Sequence, residues 1–212
     1  MKKGKYKHSE QKLREMEKTK EDIIRSAFSV FRKHGFENSS ISEIARKAGV
    51  AKGTVYTYFE SKTKLYAEIM ILIINEFEVT LQKEILKNDT GLVKVTKIGR
   101  CLYDFFRKNY FYYQVFSFMN SNLKEIVKGD MRLQRDPIAE LTIKYIETGK
   151  SDGSISKKVH PVKFLAFASS TIWGMLMFMH ERGDDVMEGT GLSEQEMIDY
   201  NFLAMQNMLT IK

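Results

Sequence analysis

Apolar residues along this chain recur mainly at intervals of three and four, the spacing of helices with one buried face. The pattern begins near Thr19, which with Asp22 resembles a capping pair, and it stops at Gly35. It resumes as two short runs within residues 40–59 and as one long run from about 62 to 86. Val- and Thr-rich alternating runs, typical of strands, are missing. The first half of the chain is therefore predicted to be helical throughout.

The second half continues in the same way. Pro161 suits the first turn of a helix, and Ser193 with Glu196 fits a capping box at the start of another. Polar stretches at 150–154 and 183–191 are predicted to be loops. Five further helices are predicted, at about residues 92–108, 110–127, 132–148, 161–182 and 193–211. The predicted fold class is all-α.

The two short runs within residues 40–59 have their own start and stop signals. Ser40 and Glu43 match the pattern Ser-x-x-Glu, in which each side chain accepts from a backbone N–H at the helix start. Gly49 follows the first run, where a left-handed residue ends a helix. Two short helices joined by a tight Gly-containing turn can place the second helix in a DNA major groove. The pattern predicts a helix-turn-helix.

The distribution of charge favours DNA as the partner. The net charge is +7, but residues 1–64 contain 16 Lys/Arg and 8 Asp/Glu, a balance of +8, whereas residues 65–212 contain 18 and 19, a balance of −1. Localised basic charge is the electrostatic signature of contact with phosphates. A solvated basic tail is the alternative, but it does not explain why the excess coincides with the helix-turn-helix.

The chain is divided accordingly into three parts. Residues 1–16 carry six Lys/Arg against two Glu and are predicted to form a mobile basic arm that touches the minor groove or phosphates. A disordered terminus without a role is the alternative from composition alone. Residues 17–64 form the DNA-binding domain, and residues 65–212 form a second, electrically neutral domain.

Other classes of protein find little support. Cys101 is the only cysteine, and the four histidines lack zinc-ligand spacing, so neither a disulfide, a metal site, a cofactor site nor an enzyme is predicted. The N-terminus lacks the apolar region of a signal peptide. The longest uncharged run, residues 164–179, is shorter than the about 20 residues of a membrane span and is predicted to be a buried core helix. A cytoplasmic protein is expected.

The residues from Ile23 to Leu65 resemble the DNA-binding domain of the TetR family of transcriptional regulators. The matching run is AFSVFRKHGFENSSISEIARKAGVAKGTVYTYFESKTKL, and its most specific parts are IARKAGVAKGTVYTYF and SKTKL. The resemblance implies a nine-helix protein with an N-terminal three-helix DNA-binding domain and a C-terminal helical domain for ligand binding and dimerisation. Ala51, where a capping Ser or Thr is common, and Lys64, where an acidic residue is frequent, depart from the family pattern.

The resemblance also implies which residues contact DNA. Lys52 can reach a guanine edge or a phosphate, Thr54 a base edge or a thymine methyl, and Lys62 a phosphate. Ser40 can bring its hydroxyl and the start of its helix to a phosphate, or can be only a cap. Tyr56 has the alternative of packing on the first helix. The implied contacts are Ser40, Lys52, Gly53, Thr54, Tyr56, Thr57, Tyr58 and Lys62, whereas Val55 and Phe59 are predicted to be core.

Residues 103–119 contain too many aromatic side chains for a single helix stripe. The resemblance implies a ligand pocket here, and adaptable Met and flat aromatic faces suit a hydrophobic or cationic small molecule. Asp104 and Glu140 are candidate countercharges, although solvated surface is the alternative for both. The candidate ligand-binding residues are Tyr103, Phe106, Tyr110, Tyr113, Phe116, Met119, Trp173 and Met177. Plain core packing is the alternative for each of them.

The last two predicted helices, at 161–182 and 193–211, combine small and large apolar residues and are predicted to form the interface of a homodimer. The sequence thus predicts a repressor that binds a palindromic operator as a homodimer and is released by a small hydrophobic or cationic effector. The alternative is an architectural or cell-division DNA-binding factor of the same fold without a small-molecule ligand.

Overall fold

The computed structural model describes residues 3–122 and 136–211, with only the backbone described for residues 3–9 and 118–122. Every regular element in these ranges is a helix, which confirms the all-α prediction. The nine described helices are α1 Lys3–His34, α2 Ile41–Ala48, α3 Lys52–Tyr58, α4 Lys62–Glu84, α5 Gly91–Lys108, α6 Tyr110–Asn122, α7 Pro137–Asp152, α8 Pro161–Thr190 and α9 Glu194–Thr210.

Helix α1 is longer than predicted. It begins at Lys3, so the segment predicted as a mobile arm is helical from that residue on. The prediction that Thr19 and Asp22 start the helix was wrong: the Thr19 hydroxyl donates to the carbonyl of Glu15, one turn back, at 2.8 Å. Such a bond is available to any Thr inside a helix, so a capping pattern alone does not locate a helix start.

Two other helix ends differ from the prediction. The loop predicted at 183–191 is helical, because α8 continues to Thr190 and ends where Gly191 takes a left-handed conformation. Gly183 lies inside α8, buried against Met179. Helix α7 likewise runs through part of the loop predicted at 150–154 and ends before Gly153. In both places the residues are polar because they lie on an exposed helical face. Their composition resembles that of a loop, which explains the wrong prediction.

The described residues form two compact units. The first contains α1, α2, α3 and the start of α4, up to residue 73, together with residues 115–122 of α6. Its buried residues include Ile23, Phe31, Ile44 and Leu65, which lie on α1, α2 and α4. The unit boundary falls inside α4, nine residues after the predicted boundary at 64. The helix-turn-helix lies in the first unit.

The second unit contains residues 74–114 and 136–211, and α5 packs there against α7, α8 and α9. Helices α5 and α7 meet at two glycines, because a Cβ on Gly91 would lie only 2.1 Å from the backbone N of Gly149. The start of α5 is capped from the end of α7, since the Gly91 N–H donates to the Asp152 carboxylate at 2.8 Å. These contacts hold the start of α5 against the end of α7.

Candidate DNA interface and effector region

The helix-turn-helix forms with the predicted local chemistry. The Ser40 hydroxyl accepts from the Glu43 N–H at 3.1 Å, which satisfies a free donor at the start of α2. Gly49 has φ 70° and ends α2 in the left-handed conformation. The Glu43 carboxylate lies 3.2 Å from His34 Nε2 on α1 and thus also ties α2 to α1. The turn therefore presents α3 as a separate short helix.

Helix α3 has a buried side and an open side. Val55 and Phe59 are buried, as the spacing of four predicted. Lys52 and Tyr56 are exposed, and Tyr56 retains 47% of its accessible surface, so packing on α1 does not cover it. A Cβ built on Gly53 meets nothing within 4 Å in the part of the chain that the structure describes. The open side of α3 is therefore free to approach a large partner.

The remaining predicted contacts border this open side. Thr54 and Tyr58 are half-buried, and Thr57 is exposed with its hydroxyl donating to the Gly53 carbonyl at 3.1 Å. Ala51 precedes α3 without a side-chain cap, as expected from its departure from the family pattern. Seven of the eight predicted DNA contacts thus lie at the start of α2 or along α3.

Lys62, the eighth, has a different environment. Its ammonium group donates to the carbonyl oxygens of Phe36 at 2.7 Å and Ser39 at 3.0 Å. The Glu37 carbonyl lies 3.5 Å away, and the ring of Phe36 lies 4.2 Å from the ammonium nitrogen. The side chain is thus engaged with the turn between α1 and α2. Sequence spacing gave no signal for these partners, which lie 23 to 26 residues earlier.

In the second unit, four of the predicted ligand-binding residues lie together. The ring of Trp173 has its centroid 5.0 Å from that of Phe106 and 5.5 Å from that of Tyr113. The rings of Tyr110 and Tyr113 are stacked at 5.0 Å, and His180 stacks on Tyr110 at 3.3 Å. We call Phe106, Tyr110, Tyr113, Trp173 and His180 the aromatic cluster. His180 was missed, although it lies two helical turns from Trp173 on α8.

The other predicted ligand residues lie elsewhere. Tyr103 is buried, and its hydroxyl lies 3.4 Å from the Glu194 carboxylate, which also accepts from Arg107 at 2.7 Å. The Arg107 guanidinium holds the pKa of Glu194 below its usual range, and burial raises the pKa of Tyr103 to about 12. Tyr103 therefore helps to anchor the start of α9 and is not placed at the aromatic cluster.

Three further ligand predictions have different outcomes. Met177 is exposed on α8, with 46% of its surface accessible, so the described residues do not enclose it in a pocket. Phe116 is half-buried and belongs to the first unit. The side chain of Met119 lies outside the described residues. The two proposed countercharges, Asp104 and Glu140, are both exposed.

The second unit also contains an apolar cavity of about 60 Å³ that the sequence did not reveal. Helices α5, α7, α8 and α9 all contribute to its wall. Gly99 opens space on α5, since a Cβ there would lie 3.0 Å from the ring of Phe202. The lining residues are Val95, Thr96, Ile98, Gly99, Leu102, Ile138, Thr142, Phe164, Leu165, Ala168, Ser169, Ile172, Phe202, Met205, Gln206 and Leu209.

Helix α8 is long and apolar enough, by length and composition, to cross a membrane. Only 28% of its most apolar stretch is buried within the chain, so the prediction of a buried core helix holds for one side of α8 alone. The buried side includes Phe164, Ile172 and Leu176. The outward side includes Phe167, Gly174 and Phe178. The core helix of a soluble protein meets the same criterion of length and composition.

The described residues form an all-helical fold that contains a helix-turn-helix. Residues 23–69 match the family described as bacterial regulatory proteins, tetR family. Curated relatives match over part of the chain. The probable acrEF/envCD operon repressor of Escherichia coli K12 is 35% identical over 54 residues, which cover 26% of this chain and 24% of that protein. The fatty acid metabolism regulator protein of Bacillus subtilis is 30% identical over 76 residues, or 36% and 39% of the two chains.

Solved structures extend the likeness to the whole fold. A tetR-family transcription regulator from Shewanella sp. PV-4 superposes with a TM-score of 0.68 at 18% identity, covering 92% of this chain and 99% of that one. Bacillus subtilis FadR in complex with stearoyl-CoA gives 0.67 at 18% identity, covering 88% and 97%. The family match is confined to residues 23–69, and the solved structures show that the rest of the chain shares their fold. Regulators of this family are DNA-binding proteins rather than enzymes.

Proposed function

We propose that this protein is a repressor that binds a two-fold symmetric operator as a homodimer and is released by a small-molecule effector. The observation that carries the proposal is the open side of α3, which presents Lys52, Gly53 and Tyr56 outside a buried Val55 and Phe59. An exposed helix in a basic domain is the arrangement that enters a major groove. The chain matches less than two fifths of the length of these relatives. The operator and the effector are therefore part of this proposal and are not taken from the relatives.

The open side of α3 suits base edges and phosphates at once. Lys52 stands at the start of α3 and can donate to a guanine edge. Thr54 and Thr57 offer methyl and hydroxyl groups, and the hydroxyls of Tyr56 and Tyr58 can donate to phosphates. Ser40 places the start of α2 beside the backbone, where free N–H groups favour an anion. These seven residues, Lys62 excluded, are the proposed DNA contacts.

A homodimer is favoured by the outward sides of the last two helices. On α8, Phe167, Met177 and Phe178 are exposed, each with at least 38% of its surface accessible. On α9, Tyr200 and Leu203 are exposed by 74% and 54%. Exposed apolar side chains on two helices that contact each other suit an interaction site. A second copy of the chain is the partner that two identical operator half-sites require.

Replacing Phe178 by Glu is expected to convert the dimer into a monomer, because a carboxylate would be buried without a partner in the interface. Sedimentation equilibrium measures the change, and a dissociation constant at least about 100-fold weaker, ~2.7 kcal/mol, is expected. Val79→Glu is the matched control, since Val79 is an exposed apolar residue of α4. A Phe178→Glu protein that dimerises like the control would contradict the proposed interface.

The proposed effector is hydrophobic and binds in the second unit. The apolar cavity of about 60 Å³ is smaller than the ~150 Å³ of a cavity known to hold benzene, so an effector must displace side chains to enter. Its wall is built from α5, α7, α8 and α9, and entry would therefore shift the helices proposed to form the dimer. The aromatic cluster is the alternative site, suited to a hydrophobic cation.

A thermal-shift screen with long-chain acyl compounds and hydrophobic cations tests the effector proposal. A compound present at 100 times its dissociation constant adds ~2.7 kcal/mol, which is about 5–10 °C for a chain of this size. Ala168→Phe, which fills the cavity, is expected to abolish the shift for an acyl compound, and Tyr113→Leu the shift for a cation. The stabilising compound must also release the protein from DNA. If none stabilises it, the architectural alternative without a ligand is favoured.

A further inference from the structure

Lys62 is the first residue of α4, and its ammonium group is surrounded by backbone carbonyls. Those of Phe36 and Ser39 accept hydrogen bonds at 2.7 and 3.0 Å, and that of Glu37 lies at 3.5 Å. An ammonium group has three donors and no acceptor. The bonds to Phe36 and Ser39 therefore occupy two of its donors, and the Glu37 carbonyl is a weak acceptor for the third.

The three carbonyls belong to the short turn that connects α1 to α2. The turn ends at Ser39, whose hydroxyl donates to the Gly35 carbonyl, and Ser40 then caps α2. Within the turn the Ser39 N–H donates to the Phe36 carbonyl at 3.3 Å. Lys62 thus joins the start of α4 to the residues that immediately precede the helix-turn-helix.

An aromatic contact reinforces the same connection. Tyr66 lies one turn after Lys62 on α4, and its ring meets that of Phe36 edge-on at 5.0 Å. Phe31 of α1 packs on both rings, at 5.7 Å from Phe36 and 5.1 Å from Tyr66. The Lys62 ammonium lies 4.2 Å from the centroid of the Phe36 ring, within the range of a cation–π contact. Phe36 is therefore held by α1 and by two successive turns of α4.

We infer that Lys62 is a positioning residue of the DNA-reading domain: it fixes the turn before Ser40, and through it the start of α2, and it does not itself bind phosphate. The inference rests on the proposed DNA-binding function. A phosphate would compete with the carbonyls of Phe36 and Ser39 for the ammonium donors, and removing the donor from half-buried acceptors is unfavourable. The side chain then affects DNA affinity only through the backbone that it holds.

Two substitutions separate the two roles. Lys62→Met keeps the aliphatic stem and removes the donors. Lys62→Arg keeps the positive charge, but a planar guanidinium cannot reproduce the bonds of a compact ammonium group, although it binds phosphate well. Lys64→Met is the matched control, because Lys64 is also half-buried and lies two residues further along α4. The control substitution removes the same charge.

Amide hydrogen exchange of the free protein tests the positioning role without DNA. The amides of Phe36 to Ser40 are expected to exchange about tenfold faster in Lys62→Met and in Lys62→Arg, which corresponds to ~1.4 kcal/mol of local opening. Lys64→Met is expected to exchange like the wild type. Unchanged exchange in both Lys62 variants would overturn the inference.

Binding to a duplex selected by the wild-type protein tests the consequence for DNA. Both Lys62 variants are expected to lose about tenfold in specific affinity, while the dependence of log K on log salt stays equal to that of Lys64→Met. A phosphate contact would instead leave Lys62→Arg near wild type and reduce the slope for Lys62→Met by ~0.9 per protomer relative to the control. If the wild type selects no duplex, the proposed function fails, and the exchange experiment still decides the role of Lys62.

Discussion

Alanine at Lys52 or at Tyr58 is expected to abolish specific DNA binding while leaving the protein folded and dimeric. Lys52 is exposed at the start of α3, and Tyr58 lies half-buried at its end, so the two bracket the open side of the helix. A base-reading contact, as proposed for Lys52, contributes ~1–3 kcal/mol, and a homodimer loses it twice. Fluorescence anisotropy with the selected duplex is therefore expected to show a loss of about 30-fold to 10⁴-fold for Lys52→Ala. Tyr58→Ala loses its proposed phosphate contact in both protomers, which weakens binding to every duplex.

The matched control for Lys52→Ala is Lys83→Ala, an exposed lysine in the last turn of α4 that belongs to the second unit. Its effect on affinity is expected to stay within about twofold, because it lies outside the DNA-binding domain and salt screens distant charges. Sedimentation equilibrium should give the wild-type dimer for all three variants. Footprints that match the wild type for both Lys52→Ala and Tyr58→Ala would show that α3 is not the reading helix.

Alanine at Gly91 is expected to cause the largest loss of stability in the second unit. Its Cβ would lie 2.1 and 2.3 Å from backbone atoms of Gly149 and 2.5 Å from the carbonyl oxygen of Tyr145. These are backbone atoms, so no rotamer change relieves the overlap, and the helices α5 and α7 must separate. Overpacking costs ~1–3 kcal/mol where side chains can adjust, and about 3 kcal/mol or more is expected here.

Trp173, the only tryptophan, lies in the second unit and reports its unfolding by fluorescence. The midpoint of thermal unfolding of Gly91→Ala is expected to fall by about 10 °C. Gly189→Ala is the matched control, because a Cβ there meets nothing within 4 Å among the described residues. Alanine in place of glycine in an exposed helix raises the free energy of unfolding by ~0.5–1 kcal/mol. A Gly91→Ala protein as stable as this control would contradict the close crossing of α5 and α7.

The local signals of the sequence predicted local structure well. The cap at Ser40, the left-handed Gly49 and the capping box at Ser193 all depend on residues within three or four positions, and all formed. The burial of Val55 and Phe59 followed from their spacing on one helix. A helix-turn-helix is defined by such short-range chemistry, and its residues alone were therefore enough to identify it.

Contacts between distant residues could not be predicted in this way. Lys62 was predicted to contact a phosphate, and nothing in the sequence indicated its bonds to the carbonyls of Phe36 and Ser39. Tyr103 was a candidate ligand-binding residue, and nothing in the sequence indicated its contact with Glu194, 91 residues away. Helix α8 was cut short because its polar residues suggested a loop, whereas they lie on an exposed helical face.

Two copies of this chain are proposed to read a symmetric DNA sequence through α3. Selection from a pool of random duplexes by the wild-type protein, followed by sequencing, tests it most directly. A two-fold symmetric consensus is expected, with half-sites about one helical turn, 34–36 Å, apart. The same selection with Lys52→Ala should lose that consensus. A pool without enrichment, or an asymmetric single half-site, would contradict DNA binding as a symmetric dimer.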